Sequence, residues 1–161
     1  MDAQTERVWR RLREIPDPEL PFLNIVEMGM VRGVRWTDDG LSVSITPTYS
    51  GCPATDFIKE DVERVVQKLD PQGEVEIVLS PAWSTDDLEA SALEKMRENG
   101  IAPPAERTSD KLRLKGQHGD VACPRCGSGD TEMVSAFGST ACKALYKCRT
   151  CLEPFDHFKC L

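Results

Sequence analysis

Residues 41–53, LSVSITPTYSGCP, contain the change from strand to helix that decides the fold. Apolar and hydroxyl side chains alternate over residues 41–46, which is the period of a β-strand with one buried face. Pro53 suits the first position of a helix, because its missing N–H would have no partner there. The segment therefore predicts a strand-to-helix turn with Cys52 as the N-cap residue.

The flanking segments predict the rest of a small α/β domain. Residues 3–14 have apolar side chains at helical spacing, and the helix should end before Pro16. Residues 31–45, which turn at Asp38-Asp39-Gly40, predict a hairpin. A helix to Leu69 and a strand over 75–79 complete a strand–helix–strand crossover.

A final helix is predicted at the end of this domain. Ser84 and Asp87 have the spacing of a capping box at its start, and Asn99-Gly100 is a typical helix end. Trp83, just before the helix, is predicted to anchor the core because a large ring has much apolar area to bury. The element order is therefore αββαβα.

Cys52 is a candidate functional residue. A thiol at a helix N-cap faces free backbone N–H groups and the positive end of the helix dipole, which favour the thiolate. A thiolate can bind iron or attack an electrophile, and Gly51 leaves room for a ligand or partner. The alternative is a small buried side chain at a tight corner, as free cysteine often is.

Asp17 and Glu19 form a second candidate, in the sequence Asp17-Pro18-Glu19. Aspartate before proline favours a turn, so the simpler interpretation is a rigid corner after the first helix. The functional interpretation is a carboxylate at the edge of a metal or partner site. Of the two, the turn is favoured because such turns are common.

Two C-x-x-C pairs near the C-terminal end predict a metal module. Cys123 and Cys126 form the first pair, and Cys148 and Cys151 the second, with 21 residues between the pairs. Two such turns supply the four sulfurs of a tetrahedral zinc site. Since so short a segment cannot build a sufficient core unaided, zinc should supply much of its folding free energy.

An iron–sulfur cluster is the rival to zinc. Cys142, Cys148 and Cys151 are spaced C-x5-C-x2-C, one residue away from a plant-type cluster pattern. Cys142 and Cys160 are otherwise unassigned, and His157 is a substitute ligand. The preferred interpretation makes these cysteines packing residues and leaves the His157 side chain exposed.

Charge and composition divide the chain into two parts. Residues 1–105 hold 20 acids and 11 bases, whereas residues 106–161 hold 7 acids and 9 bases. We predict an α/β domain over 1–101, a Pro- and Gly-containing linker over 102–119 and a four-cysteine ribbon over 120–161. The fold class is α+β, a two-layer αββαβα domain followed by a zinc-ribbon-like module.

The same composition argues against several function classes. Binding to nucleic acid needs a basic face, and this chain has a net charge of −7. No apolar run approaches the roughly 20 residues that span a bilayer, and the N-terminus does not resemble a signal peptide. We therefore expect a cytoplasmic protein with reduced thiols that binds neither nucleic acid nor membrane. The ribbon bases Lys143, Lys147, Arg149 and Lys159 are instead candidates for docking an acidic protein.

Residues 12–101 resemble the iron–sulfur cluster assembly domain of bacterial and eukaryotic assembly factors. The resemblance lies in five stretches: DPE at 17–19, NIVEMGMV at 24–31, TPT at 46–48, GCPAT at 51–55 and PAWS at 81–84. With the cysteine-rich tail, the chain resembles the PaaD family, the D components encoded with bacterial phenylacetyl-CoA epoxidase.

This resemblance implies an accessory factor that matures an iron–sulfur or di-iron centre of the epoxidase in aerobic phenylacetate degradation. The reactive cysteine of the family matches Cys52, and its acidic motif matches Asp17 and Glu19. Implied partners are the oxygenase or reductase subunits, with transient iron or a cluster at Cys52. Structural zinc in the tail is expected from the C-x-x-C pairs themselves, and pairing through an edge strand of the small sheet makes a homodimer a further option. No independent catalytic activity is implied.

Two alternatives to a maturation factor remain open. One is a thiol-dependent enzyme with Cys52 as nucleophile, which lacks a nearby histidine base in the sequence. The other is a purely structural subunit of the epoxidase. The chain has no glycine-rich phosphate loop, and its two histidines are too few for a carboxylate-bridged di-iron site.

Overall fold

A computed structural model describes residues 2–104 and 121–159. The described chain forms two compact units, Met1–Ala92 and Leu93–Leu161. The helices are α1 (Ala3–Leu12), α2 (Thr55–Leu69) and α3 (Ala90–Glu98), with a 3₁₀ turn at Thr85–Asp87. The strands are β1 (Val31–Thr37), β2 (Gly40–Ile45), β3 (Glu74–Ile77), β4 (Ile101–Ala102), β5 (Thr131–Ser135), β6 (Lys143–Cys148) and β7 (Pro154–Phe158).

The first unit contains a three-stranded sheet in the order β1-β2-β3. Strands β1 and β2 form the predicted antiparallel hairpin, and β3 pairs parallel to β2 after the α2 crossover. Leu41, Val43 and Ile45 are buried, as their alternation predicts, and α2 packs on the sheet through Ile58, Val62 and Val66. The predicted α+β class is confirmed.

Trp83 is the predicted anchor of this core and is buried. Its indole Nε1–H donates a 2.7 Å hydrogen bond to the carbonyl oxygen of Met28. Gly29, the next residue, has φ +66°, and a Cβ there would lie 2.2 Å from the carbonyl oxygen of Asp87. Only glycine permits this approach of the 24–30 loop to the 84–87 turn.

The helix predicted from Ser84 is divided in two. The Ser84 N–H donates to the Asp87 carboxylate at 2.8 Å, so the capping interaction is present, but it caps only the 3₁₀ turn. Helix α3 begins at Ala90 and ends before Gly100, whose φ of +73° is that of a helix C-cap.

The second unit contains a four-stranded sheet in the order β4-β7-β6-β5. Its core combines Tyr146 and Phe155 with buried cysteines of the two C-x-x-C turns. The predicted domain boundary at 101/102 lies inside β4, which pairs parallel to β7. Most of the predicted 102–119 linker lies outside the described residues.

Candidate metal centre and the Cys52 turn

The two C-x-x-C pairs lie on two turns at one end of the second sheet. Cys148 ends β6, and the turn through Cys151 leads directly into β7. The Cys148 N–H donates to the carbonyl oxygen of Glu153 at 3.0 Å, which closes this turn. In the other turn the Cys123 N–H donates to the carbonyl oxygen of Ser128 at 2.9 Å. A backbone hydrogen bond therefore closes each of the two turns.

A left-handed residue follows each cysteine pair. Gly127 follows Cys126 with φ +75°, and Leu152 follows Cys151 with φ +65°. A leucine rarely adopts this conformation, which is unfavourable for a side chain with Cβ. Because Leu152 adopts this strained conformation, the backbone after the second cysteine pair is left-handed, as it is after the first.

Polar contacts hold the two turns together. The Ser128 and Thr150 hydroxyls are hydrogen-bonded at 2.8 Å, and the Arg149 N–H donates to the carbonyl oxygen of Asp130 at 2.9 Å. The Arg149 guanidinium also pairs with Glu132 at 2.9 Å. The turns are thus fixed relative to each other by contacts that do not involve sulfur.

The structure brings all four thiols of the C-x-x-C pairs into one cluster. Their Sγ atoms lie within 4.8 Å of one another, with Cys123 and Cys151 at 3.8 Å and Cys126 and Cys148 at 3.6 Å. Metal–sulfur bonds of about 2.3 Å in a tetrahedron separate the sulfurs by about 3.8 Å. The cluster therefore fits one tetrahedral metal ion.

Backbone N–H groups favour a thiolate at Cys148. The Cys151 N–H lies 3.4 Å from the Cys148 Sγ, and with the Thr150 N–H it lowers the pKa of the Cys148 thiol to about 6. At Cys151 the Glu153 N–H favours ionisation, but burial and the neighbouring sulfurs raise the pKa to about 12. Of these two thiols Cys148 ionises more readily, so binding a divalent ion should release a proton from Cys151.

The three cysteines of the alternative iron–sulfur pattern, Cys142, Cys148 and Cys151, do not form one cluster. Cys142 is buried, and its Sγ lies 3.0 Å from the Thr140 hydroxyl rather than in the thiol cluster. A multi-iron cluster also distributes its cysteine ligands over several iron atoms, which separates them more than a single ion does. Cys160 lies outside the described residues.

His157 belongs to the core of the ribbon sheet, which is the sheet of strands β4–β7. It is buried, so the expectation of an exposed side chain is wrong. Its Nδ1 lies 3.2 Å from the carbonyl oxygen of Ala102, and its ring meets the Tyr146 ring edge-on at 5.3 Å. His157 is not in the thiol cluster. Its contacts join β7 to β4 and β6.

Three of the four bases expected to dock an acidic protein have partners within this chain. Lys143 is buried and pairs with Asp156 at 3.5 Å, and Arg149 pairs with Glu132. The Lys159 Nζ donates to the carbonyl oxygen of Ala136 at 3.0 Å and lies over the Phe137 ring. Only the fourth base, Lys147, is exposed without an ion pair among the described residues. A basic docking face on the ribbon is therefore not supported.

Cys52 lies in a tight turn between β2 and α2. Its N–H donates to the carbonyl oxygen of Tyr49 at 3.1 Å, and its own carbonyl oxygen accepts from the Thr55 N–H at 3.2 Å. Because α2 begins at Thr55, the N-cap residue is Ala54 and the prediction of Cys52 as N-cap is wrong. The thiol is half-buried just before the helix.

Asp17 forms the predicted corner. The residue is buried, and its Oδ1 accepts from the backbone N–H groups of Glu19 and Leu20, each at 2.8 Å.

In residues 2–104 and 121–159, the four C-x-x-C cysteines are the only potential metal-binding group of three or more His, Cys, Asp or Glu side chains. Asp17, Glu19 and Cys52 therefore do not form a preassembled metal site.

Comparison with known proteins assigns a family to each part of the chain. The model of the iron–sulfur cluster assembly protein family matches residues 5–77, and the model of the PaaD zinc beta ribbon domain matches residues 107–159. A protein of Escherichia coli K12 assigned as the D component of 1,2-phenylacetyl-CoA epoxidase is 44% identical over 98% of this chain and 94% of its own length. The chain belongs to the PaaD family.

Two further relatives of this PaaD-family chain match the first unit. An Fe-S protein maturation auxiliary factor of Porphyromonas gingivalis is 37% identical over 56% of the chain and 89% of its own length. The crystal structure of a domain of unknown function, DUF59, from Bacillus anthracis has a TM-score of 0.53 and 28% identity over 58% of the chain and 92% of that domain. The fold of more than half of this chain is therefore shared with a domain that the match covers almost completely.

No helix in the described part of the chain has both the length and the apolar character needed to cross a membrane.

Proposed function

We propose that this chain is an accessory factor that matures a metal centre of the phenylacetyl-CoA epoxidase complex. Two relatives support the two parts of this proposal, which are the association with the epoxidase and the maturation of a metal centre. An epoxidase D component matches nearly the whole chain, and a maturation auxiliary factor matches its first unit. The cytosol is the expected location, since both the working thiol and the ribbon need reduced cysteine.

The observation that carries the proposal is the distribution of the cysteines. Four of the six described thiols form the ribbon cluster, and Cys142 is buried beside Thr140. Cys52 alone among the described cysteines is both accessible to solvent and outside that cluster. It is therefore the thiol available to hold iron or an iron–sulfur cluster in transit to a client, as substrate rather than resident cofactor.

The ribbon cluster is proposed to hold one structural zinc ion. The four residues that would bind it are Cys123, Cys126, Cys148 and Cys151, whose sulfur separations fit a tetrahedral ion. The ion would stabilise the second unit, whose small core leaves much of its folding free energy to metal binding. Asp17 and Glu19 are proposed to shape the first unit rather than to bind the transferred metal.

Deletion and complementation test this function. The epoxidase complex is purified from cells with and without this chain, and its iron, acid-labile sulfide and epoxidation rate are measured. We expect the complex to be metal-deficient without the chain and restored by it. Full metal content without the chain would contradict the proposal. Metal analysis of the purified chain should find about one zinc and no sulfide.

A further inference from the structure

Exposed apolar side chains lie at the start of α2, just after the Cys52 turn, and at or just beyond the end of β3. The Phe57 side chain is 66% exposed and that of Leu79 61%, and Ile77 at the end of β3 is 39% exposed. Pro53 and Pro81 are also exposed. Isolated apolar residues are common on surfaces, but contiguous ones indicate a contact surface.

The topology places these residues at one end of the first sheet. Because β2 and β3 are parallel, their carboxyl ends lie together, and the Val78 N–H donates to the carbonyl oxygen of Ile45 at 2.8 Å. The Cys52 turn leaves β2 just after Ile45, and Leu79 leaves β3 just after Val78. Helical side chains lean toward the N-terminus of their helix, so Phe57 leans toward the same turn.

Strand β3 adds an open edge to this surface. Within the described residues it pairs with β2 alone. Glu74 and Glu76 lie on the sheet face opposite Val75 and Ile77, and both glutamates are exposed. No ion pair engages either glutamate, or the exposed Asp56 beside Phe57, in the part of the chain that the structure describes. The edge strand of this apolar surface thus carries exposed carboxylates that have no ion pair among the described residues.

The acidic side chains on this surface indicate which kind of partner can bind it. Two copies of the chain meeting at β3 would bring four glutamates together on units that are already strongly acidic, which opposes self-association. A partner segment with basic side chains on one face and apolar side chains on the other would complement both features. We propose that β3 and the apolar residues around Cys52 dock a basic, apolar segment of the client protein. This rests on the proposed function, because the client is the protein whose metal centre is matured.

The test measures binding of the full chain to epoxidase complex purified from cells that lack it. Phe57→Asp and Leu79→Asp should each weaken binding about tenfold, since each places a charge in the apolar contact. Gln67→Asp is the matched control, an exposed position near the other end of α2, and should bind as the unaltered chain does. Because all three side chains are exposed, the variants should retain the melting temperature of the unaltered chain.

The salt dependence of binding and the oligomeric state of the chain form the second part of this test. The double variant Glu74→Gln, Glu76→Gln should bind more weakly at low salt and lose most of its salt dependence. Unchanged binding by the two apolar-site variants would overturn the docking surface. So would light scattering that shows a dimer of the unaltered chain dissociated by Leu79→Asp, because the surface would then join two copies.

Failure of the docking surface is distinguishable from failure of the proposed function. Cys52→Ala should bind the complex normally yet leave it metal-deficient. If instead Cys52→Ala restores full metal content, the proposed role of Cys52 fails whatever the docking variants do. If the docking variants bind normally while Cys52→Ala leaves the complex metal-deficient, only the docking surface is wrong.

Discussion

The Cys123 and Cys151 sulfur atoms lie 3.8 Å apart although the two residues are 28 positions apart in sequence. Each belongs to a different C-x-x-C turn, so the contact requires the β5–β6–β7 sheet to bring the turns together. The sheet positions the thiols, and a metal bound by them would in turn hold the two C-x-x-C turns together.

Replacing one cluster thiol should remove the metal. Cys126→Ser leaves three strong ligands, so we expect zinc in the purified protein to fall well below the single equivalent expected of the unaltered chain. The second unit should lose chemical-shift dispersion while the first remains folded, since metal binding supplies folding free energy. Elemental analysis and NMR check these outcomes. Cys142→Ala is the matched control and should retain zinc, and full zinc with native dispersion in Cys126→Ser would count against the site.

The ion pair of Lys143 and Asp156, in which the lysine is buried and the aspartate half-buried, should contribute more stability than exposed pairs do. The Lys143 side chain is only 8% exposed, and Asp156→Asn would leave its ammonium group without a charged partner. Breaking such a pair costs about 3 kcal/mol. Denaturant unfolding of the second unit should show this loss. Asp130→Asn, which removes an exposed partner of Arg149, should cost much less because exposed ion pairs contribute little, and equal costs would refute the argument.

Asp87 should make the first unit less stable in acid. Burial opposes its ionisation, but the Arg32 guanidinium at 3.1 Å and the Ser84 N–H lower its pKa below the ordinary value. A lowered folded-state pKa contributes stability above the unfolded pKa, near 4, which is lost as pH falls through the folded pKa.

Asp87→Asn isolates that contribution. It should destabilise the first unit by about 1 kcal/mol at neutral pH and by less near pH 3. Urea unfolding monitored by circular dichroism at both pH values measures the difference. An equal destabilisation at both would show that the charge is unimportant.

Trp83→Phe should weaken the core around the 24–30 loop. Phenylalanine retains most of the apolar area but leaves the Met28 carbonyl without the 2.7 Å hydrogen bond. An unsatisfied buried acceptor costs about 1–3 kcal/mol. The same unfolding measurement should register the loss, whereas a cost below the experimental error would mean that water replaces the indole.

Local patterns predicted most of the fold. The alternation over residues 41–46 and the helical period up to Leu69 identified β2 and α2 because one face of each is buried. Phe57 departs from that pattern, since it is apolar yet exposed. The spacing of the C-x-x-C pairs likewise identified the thiol cluster, because a short turn joins the two cysteines of each pair.

Features that depend on contacts distant in sequence were not predictable. The β4–β7 pairing joins Ile101 to Asp156 and has no local signal. The position of His157 depends on that pairing, so the expected exposure was wrong. The prediction of Cys52 as the N-cap was wrong for a local reason. The turn from Cys52 to Thr55 places the N-cap two residues later, at Ala54. The ion pair between Lys143 and Asp156 was not predictable either, because counting charges in the sequence does not show which side chains meet in the fold.

Metal content of the epoxidase complex in cells that carry only Cys52→Ala tests the central claim most directly. Iron and acid-labile sulfide are measured beside complexes from cells with the unaltered chain and with Cys142→Ala, which removes a different thiol outside the ribbon cluster. We predict a metal-deficient complex with Cys52→Ala and a complete one with Cys142→Ala. A complete complex with Cys52→Ala, made at the same level of the folded variant, would contradict the account.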